Sequence, residues 1–449
     1  MDEILNSNNA KVMKALLVLG PGSRADHMSL VAKVSEPTVY RSLERLIEGG
    51  AAERGEGGGY SLREGSDFVR SFSEAWDNER KALLSKEIRR EAADITEQVR
   101  DKLGDHLVSV VLFGSSVAGL RGKKSDIDVL VVTSEKGRVG GLVESYLASV
   151  TVVTAEEFKA MWYEGSDLAR SSASRGILLY DARGFMYRYR ISPRVPITDA
   201  ALVKAGKDLK ERLGMFYEYV VIKDWQMALA FKNMIGGLIG RIALMGLDVF
   251  PRSRPEIPGQ LERTGFSRLG EMVEEIYRFQ EGDIEEGIDE LGSSLEKANE
   301  YLFMLESNYN LLNALKNILW GDIKKASSGL SLALEAAGVE VLQGDRADLL
   351  VKYGGETILV EVKTSKRRIN KLFLNRVTQN KATVIYSPYR EIPPDERSYK
   401  VPDGVVRKAE EMGTKLVPAR EVFSVLCDNV AKRRGAQDVM RLLGNNNLG

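Results

Sequence analysis

The chain has 449 residues, about three times a typical domain length, so several domains are expected rather than one core. Its 64 Lys and Arg balance 64 Asp and Glu, which excludes a globally basic nucleic-acid coat and leaves only local basic patches. With 43% hydrophobic and 29% charged residues the chain has material for packed cores and does not read as disordered.

Residues 9 to 19 read as a first helix with Val12, Met13, Leu16 and Leu17 on one face. Ser23 or Asp26 can cap a second helix through Val31. Ser35 can cap a third, with Pro37 in its first turn and Val39, Leu43, Leu46 and Ile47 as its apolar stripe. Ala51 to Arg54, a Gly-rich turn and Tyr60 to Leu62 then read as a two-stranded hairpin. This order resembles the winged helix-turn-helix family. The resemblance implies that the third helix enters a DNA major groove, with Thr38, Tyr40, Arg41 and Arg45 near bases or phosphates. Such modules also serve as protein-interaction or dimerisation units, which keeps a homodimer open, and acids slightly outnumber bases across this segment.

Residues 65 to 104 are charged and helical, without proline or glycine between Asp67 and Leu103, and read as linker helices. From 105, short β-branched runs (VSVVLF, DVLVV, SVTVV) alternate with helical signals. The strongest motif is VVLFGSSVAGLRGKKSDIDVLVV, residues 110 to 132. Gly114 lacks a Cβ, so its backbone can approach a phosphate closely. Ser115 and Ser116 follow where a helix would begin, and helix N-termini favour anions. Asp126 and Asp128 stand two apart on a strand and so face one side. Paired carboxylates can hold Mg²⁺ ions that bridge a triphosphate.

A Gly-Ser pair, about ten residues, then Asp-x-Asp resembles the superfamily of DNA polymerase beta and kanamycin nucleotidyltransferase, particularly its minimal nucleotidyltransferase members. The resemblance implies nucleotide binding at Gly114, Ser115 and Ser116, with Asp126 and Asp128 as catalytic metal ligands for Mg²⁺ and an NTP as substrate. It also implies a third carboxylate on a following strand, acting as general base or completing the metal site. The matching strand is ASVTVVTAEEF, where Ser149 and Thr151 share a face, Val150 and Val152 the other, and no acid stands. Glu156 and Glu157 come later, near a helix start.

Residues 197 to 325 keep helical periodicity, broken near PRSRPEIPG, with apolar stripes at Met215, Tyr217, Val220 and Val221, then Met227, Ala228, Phe231, Met234, Ile235 and Leu238. The segment resembles the helical bundles that follow antibiotic nucleotidyltransferases and the HEPN domains that accompany minimal ones. Active HEPN ribonucleases carry an Arg and a His, and no histidine occurs in this segment. Lys232 and Arg241 could reach substrate phosphates or lie on solvated surface.

In residues 326 to 363, Gly354-Gly355 reads as a two-residue hairpin turn. Tyr353 then pairs with Glu356, and counting back sets Asp348 opposite Glu361. Like charges at opposed positions repel unless a metal is coordinated between them. Lys363 shares the Glu361 face, with Val360 and Val362 towards the core. Asp348, then Glu361-Val362-Lys363, resembles the PD-(D/E)XK nuclease family, with Ala347 in place of its proline and Glu335 matching an acid often found on the preceding helix. The resemblance implies Asp348 and Glu361 as metal ligands and Glu361 and Lys363 as catalytic residues. From Lys363 to Lys381 seven of nineteen residues are basic and none acidic, so Lys366, Arg367 and Arg368 suit a phosphate backbone of DNA or RNA.

The single cysteine, Cys427, excludes an intrachain disulfide, and His27 and His106 leave little material for His-based catalysis or a His-rich metal site. No apolar run reaches the ~18 residues of a membrane span, and MDEILNSNN is no signal peptide, so no membrane partner and a reducing, cytoplasmic setting are expected. The expected architecture is multidomain α/β with α-rich parts. Its pieces are a winged helix (1–64), linker helices (65–104), a polymerase beta-like nucleotidyltransferase α/β core (105–196), a helical bundle (197–325), a restriction-endonuclease-like α/β domain (326–427) and a fraying tail (428–449). Three functions follow as alternatives: Mg-dependent transfer of NMP to a nucleic-acid, protein or small-molecule acceptor; a non-catalytic DNA-binding regulator that senses nucleotide; and a nuclease.

Overall fold

The computed structural model describes residues 7–55, 58–117, 127–135, 148–192, 197–307, 309–343, 348–367, 369–370, 374, 381–431 and 435–444, with only the backbone at 281–286, 306 and 309. The chain is mixed α/β and divides into two compact units. The first comprises residues 1–201 with 252–255, the second 202–251 with 256–449.

The first unit opens with α1 (Asn8–Leu19), α2 (Ala25–Ala32) and α3 (Glu36–Glu48), then an antiparallel pair, β1 (Ala52–Arg54) and β2 (Tyr60–Leu62). Ser7 caps α1 by accepting from Ala10 N–H. The second helix starts at Arg24 rather than on a capping side chain, because the Ser23 hydroxyl donates to Gly20 C=O instead. Ser35 occupies the N-cap of α3, yet its hydroxyl pairs with Thr38 Oγ1 at 2.9 Å rather than with backbone.

The stretch expected to be a linker is core. It forms α4 (Asp67–Leu83) and α5 (Lys86–Leu103). In α5, Ile88, Ile95, Val99 and Leu103 cover one face of a four-stranded sheet. That sheet runs β5 (Ala148–Thr154), β4 (Ile127–Thr133), β3 (Leu107–Phe113), β6 (Ile177–Asp181) in spatial order. β4 is antiparallel to β3 and parallel to β5. Leu130 and Val132 belong to the opposite face, packed under α6 (Ala155–Tyr163), α7 (Asp167–Arg175) and α8 (Phe185–Ile191). Strong amphipathicity disguised α5: a charged helix with one apolar stripe is what a sheet-covering helix also looks like.

Two charges are buried where these layers meet. Arg190 of α8 donates to Asp77 of α4 at 2.7 Å, to Ser73 Oγ, and to the carbonyls of Ala173 and Gly176 at the end of α7. Arg80 caps the same helix end through Arg175 and Gly176 C=O. Val69 and Phe72 of α4 and Tyr187 and Ile191 of α8 meanwhile enter the core built by α1 to α3. The helix–hairpin segment and the sheet are therefore joined through α4 and α8, which the buried Asp77–Arg190 pair ties together.

The second unit holds a large continuous core and a smaller cluster of Ile369, Leu374, Tyr386, Tyr399, Val405 and Ala409. Its helices are α9 (Asp199–Val221), α10 (Trp225–Gly246), α11 (Ile257–Thr264), α12 (Ser267–Arg278), α13 (Glu281–Glu306), α14 (Tyr309–Trp320) and α15 (Ile323–Ala336). A five-stranded sheet follows, ordered β11 (Lys415–Pro418), β10 (Thr383–Ser387), β9 (Glu356–Thr364), β8 (Leu349–Tyr353), β7 (Glu340–Gln343). β7, β8 and β9 are antiparallel neighbours, and β9, β10 and β11 are parallel. Helix α16 (Asp403–Glu411) precedes β11, and α17 (Ala419–Val430) and α18 (Ala436–Leu443) close the chain. The bundle and the α/β segment, expected as separate domains, share this core. The tail expected to fray is docked as far as α18, which buries Val439, Met440 and Leu443, and Leu443 C=O accepts from the Thr383 hydroxyl.

The stripe expected in α9 is rotated. Leu209 and Phe216 are buried, whereas Tyr217 is exposed and Val221 is 80% exposed. Helix α10 is long and apolar enough to cross a membrane by length and composition, but 61% of its most apolar stretch is buried in this unit's core. Lys232 lies on this helix fully buried, on neither a surface nor a phosphate path. Its Nζ donates to Ile276 C=O at 2.5 Å and Tyr277 C=O at 3.1 Å, capping the end of α12. Burial lowers its pKa to about 8.

Two outcomes follow from these buried charges. Asp77→Ala leaves the Arg190 guanidinium buried without its carboxylate and should cost about 3–5 kcal/mol in denaturant unfolding. For Lys232, the folded pKa of about 8 lies below its ordinary 10.5, so the unfolded chain binds more protons between those values. Stability should therefore rise with pH across that window. In Lys232→Met, the same unfolding curves should lose that slope.

Candidate functional site

In the first unit the site is built at the end of β3. After Phe113 the chain turns through Gly114, Ser115 and Ser116 in a single 3-10 turn. Gly114 has φ +73°, and a Cβ there would lie 2.1 Å from Asp128 Oδ2. The Asp128 carboxylate is thus seated on the bare Cα of the bend, a contact that any side chain at 114 would forbid. The antiparallel pairing of Phe113 with Asp128 makes this contact a consequence of register. Ser115 and Ser116 are buried, and the Ser116 hydroxyl has no hydrogen-bond partner among the described residues. Asp126, expected as the second carboxylate, lies outside the described residues.

The neighbouring strand settles which residues share the Asp128 face. β5 pairs with β4 in parallel, Asp128 beside Ser149 and Leu130 beside Thr151. Hydroxyls, not carboxylates, therefore stand beside Asp128 and one pleat further along. The acids that follow are committed elsewhere. Glu157 accepts from Thr154 N–H at 2.8 Å while the Thr154 hydroxyl accepts from Glu157 N–H, a capping box for α6. Glu156 is exposed beside Lys159. Asp181 pairs with Ser109, towards the other end of β3, and accepts from Met186 and Tyr187 N–H at the start of α8. Burial raises the Asp181 pKa despite those two bonds.

The bend and its carboxylate lie inside a recognisable segment. Residues 93–171 match the family model of a nucleotidyltransferase domain. No curated protein matches the chain. The match begins within α5, consistent with that helix covering the sheet of the nucleotidyltransferase domain. It ends within α7 and includes Gly114, Ser115, Ser116, Asp126, Asp128 and Ser149. A nucleotidyltransferase domain implies an NTP substrate and NMP transfer as its general chemistry.

In the second unit, β8 and β9 meet as the turn dictates. Gly354 and Gly355 both have positive φ, Tyr353 faces Glu356, and Leu349 faces Val360. The next step of that register sets Asp348 opposite Glu361. Asp348 accepts from Val362 N–H at 2.6 Å. Lys363 Nζ lies 2.7 Å from Glu361 Oε2 and 3.8 Å from Asp348 Oδ2, so the ammonium sits against both acids. Glu361 is only 1% exposed, whereas Lys363 and Asp348 beside it are half-buried. Glu335 is exposed and accepts from the Ser331 hydroxyl within its own helix. Lys366 is paired with Glu391 and Arg367 is exposed, while Arg368 lies outside the described residues. Among the described residues no group of three or more His, Cys, Asp or Glu could hold a metal.

On α3, Tyr40, Arg41 and Arg45 are exposed and Thr38 is half-buried. Arg41 donates to Pro37 C=O and Thr38 Oγ1, and Glu44 and Glu48 share the exposed side of the helix. Of the four residues of this helix expected to touch nucleic acid, three are thus exposed and interleaved with acids.

Sequence reasoning missed the Asp77–Arg190–Arg80 cluster, whose members lie far apart in the chain and carry no motif. The bend itself yields a direct test. Gly114→Ala forces a Cβ into the Asp128 carboxylate and demands a left-handed backbone worth about 1–3 kcal/mol of strain. The melting temperature should fall, and titration with ATP and Mg²⁺ should show weakened binding.

Proposed function

We propose that this protein binds an NTP with Mg²⁺ at the Gly114–Ser116 bend and acts on or beside nucleic acid as a nucleotidyltransferase-type enzyme. The observation that carries the proposal is the Asp128 carboxylate seated on Gly114, with the buried Ser116 hydroxyl, unpartnered among the described residues, in the same bend. Magnesium fits this donor set. It takes one or two carboxylates and completes its shell with waters and substrate phosphates, so Asp128 and Asp126 would suffice. Bound there, it would neutralise the triphosphate. The protein's own part is to present the turn amides to the phosphates and to fix Asp128 beside them. Three helices and a hairpin at the N-terminus support a winged helix, in which Thr38, Tyr40, Arg41 and Arg45 would meet DNA or RNA.

A second reading rests on its own observation. Asp348, Glu361 and Lys363 converge at the end of the β8–β9 hairpin, as a PD-(D/E)XK nuclease site requires. In that reading Asp348 and Glu361 would take a divalent cation, and Lys363 would turn to the attacked phosphate.

Isothermal titration with ATP and Mg²⁺ tests the first reading. Asp128→Ala should lose measurable heat of binding, whereas Glu361→Ala should retain it; equal binding by wild type and Asp128→Ala defeats the proposal. Incubation of the same proteins with DNA and RNA tests the second, since any cleavage must vanish in Glu361→Ala.

A further inference from the structure

The end of the β8–β9 hairpin already holds a cation of its own. Lys363 Nζ lies 2.7 Å from Glu361 Oε2 and 3.8 Å from Asp348 Oδ2. Carboxylates at opposed positions repel each other, and the ammonium beside both removes that repulsion. It stands in for a divalent ion, which would use the same convergence of two acids on one charge. The three groups differ in how firmly they are held. Asp348 accepts from Val362 N–H at 2.6 Å, so strand backbone fixes it whatever Lys363 does. Glu361 is 1% exposed and belongs to β9, which runs between β8 and β10. Lys363 lies two residues further along β9, half-buried, on a flexible four-carbon stem. The lysine is therefore the member that can leave while the acids stay in place.

While Lys363 stays, its unit charge opposes a second cation at the same oxygens. A ligand shifts such an equilibrium only by favouring one arrangement over the other. A phosphate does so, because an ammonium withdrawn to it leaves the carboxylates unneutralised and raises their affinity for a divalent ion. Just past the strand, Arg367 and Lys366, the latter paired with Glu391, are exposed and add positive charge that attracts a phosphate backbone.

We infer, resting on the nuclease-type reading of this site, that Lys363 is a latch: it keeps the divalent ion out until a nucleic-acid phosphate draws it off, so that nucleic acid binds first and the metal second. Linkage makes the effect reciprocal, and the ion must tighten nucleic acid by the same factor.

The experiment uses the full chain without NTP, so that the first unit's site lacks the phosphates that complete its metal shell. Ca²⁺ is the oxygen-seeking probe ion, titrated by calorimetry, and heat lost in Glu361→Ala is assigned to this site. A DNA duplex and an RNA strand are the phosphate probes, followed by fluorescence anisotropy at constant ionic strength. The wild type should bind Ca²⁺ about tenfold or more tighter with nucleic acid than without it, and Ca²⁺ should tighten nucleic acid by a matching factor. Lys363→Met should bind Ca²⁺ alone as tightly as the wild type does with nucleic acid, and Lys363→Arg, which keeps a cation, should stay closed. If repulsion between the acids leaves Lys363→Met poorly folded, Ca²⁺ should raise its melting temperature well beyond any rise in the wild type, which reads the same exclusion. Equal Ca²⁺ affinity of wild type and Lys363→Met without nucleic acid overturns the inference, as does bound nucleic acid that leaves the wild-type Ca²⁺ affinity unchanged. A folded Lys363→Met that takes no Ca²⁺ in either state, where the wild type does so with nucleic acid, also overturns it, because the lysine would then organise the acids. No Glu361-dependent Ca²⁺ binding in any of these proteins, or no nucleic-acid binding at all, instead sinks the nuclease-type reading beneath it.

Discussion

The nucleotidyltransferase domain depends on one close approach. The Asp128 carboxylate occupies the volume that a side chain at position 114 would need. Three separate requirements meet at that point. The antiparallel pairing of β3 and β4 delivers Asp128 opposite Phe113. The left-handed bend at Gly114 reverses the chain immediately beyond. The absence of a Cβ lets the two touch. A one-residue slip of the pairing would send Asp128 to the face covered by α5 and place a valine or isoleucine on the bend.

Around this point the protein spends buried charge where layers join. Arg190 and Asp77 tie α8 to α4, and Arg397 donates to Leu319 and Ile392 C=O while its guanidinium lies over Trp320. Lys232 ends α12. Each places a cation on carbonyls that a helix end or loop leaves without intrahelical partners. Desolvation opposes each of them and lowers the Lys232 and Arg397 pKa values, so their benefit lies less in net energy than in fixing one arrangement of the joined elements.

Much of this architecture was legible in the chain, and the reasons it was not elsewhere are specific. The Gly354-Gly355 turn fixed the β8–β9 register because a two-residue turn with positive φ leaves no freedom in the pairing that follows. Strand alternation also set Ser149 and Thr151 on one face of β5, but the register that puts Ser149 beside Asp128 depends on the packing of the two strands and is not written in either one alone. Helix α5 was misread because its charged surface hides a narrow apolar stripe. The α9 stripe was misread because exposed Met215, Tyr217 and Val221 are as apolar as the buried Leu209 and Phe216. Lys232 could not have been placed, since nothing local marks a lysine whose partners are carbonyls on another helix.

The position of α5 bears on how the gene can be cut. A fragment begun at residue 105, where the β-rich stretch starts, would leave Val110, Leu112, Val129 and Val131 facing water instead of Ile95, Val99 and Leu103. Such a piece would be sticky and poorly behaved however intact its signature looked. A boundary drawn ahead of Lys86 keeps the sheet's lid on the same polypeptide, and one drawn ahead of Asp67 keeps the anchor for Arg190 as well.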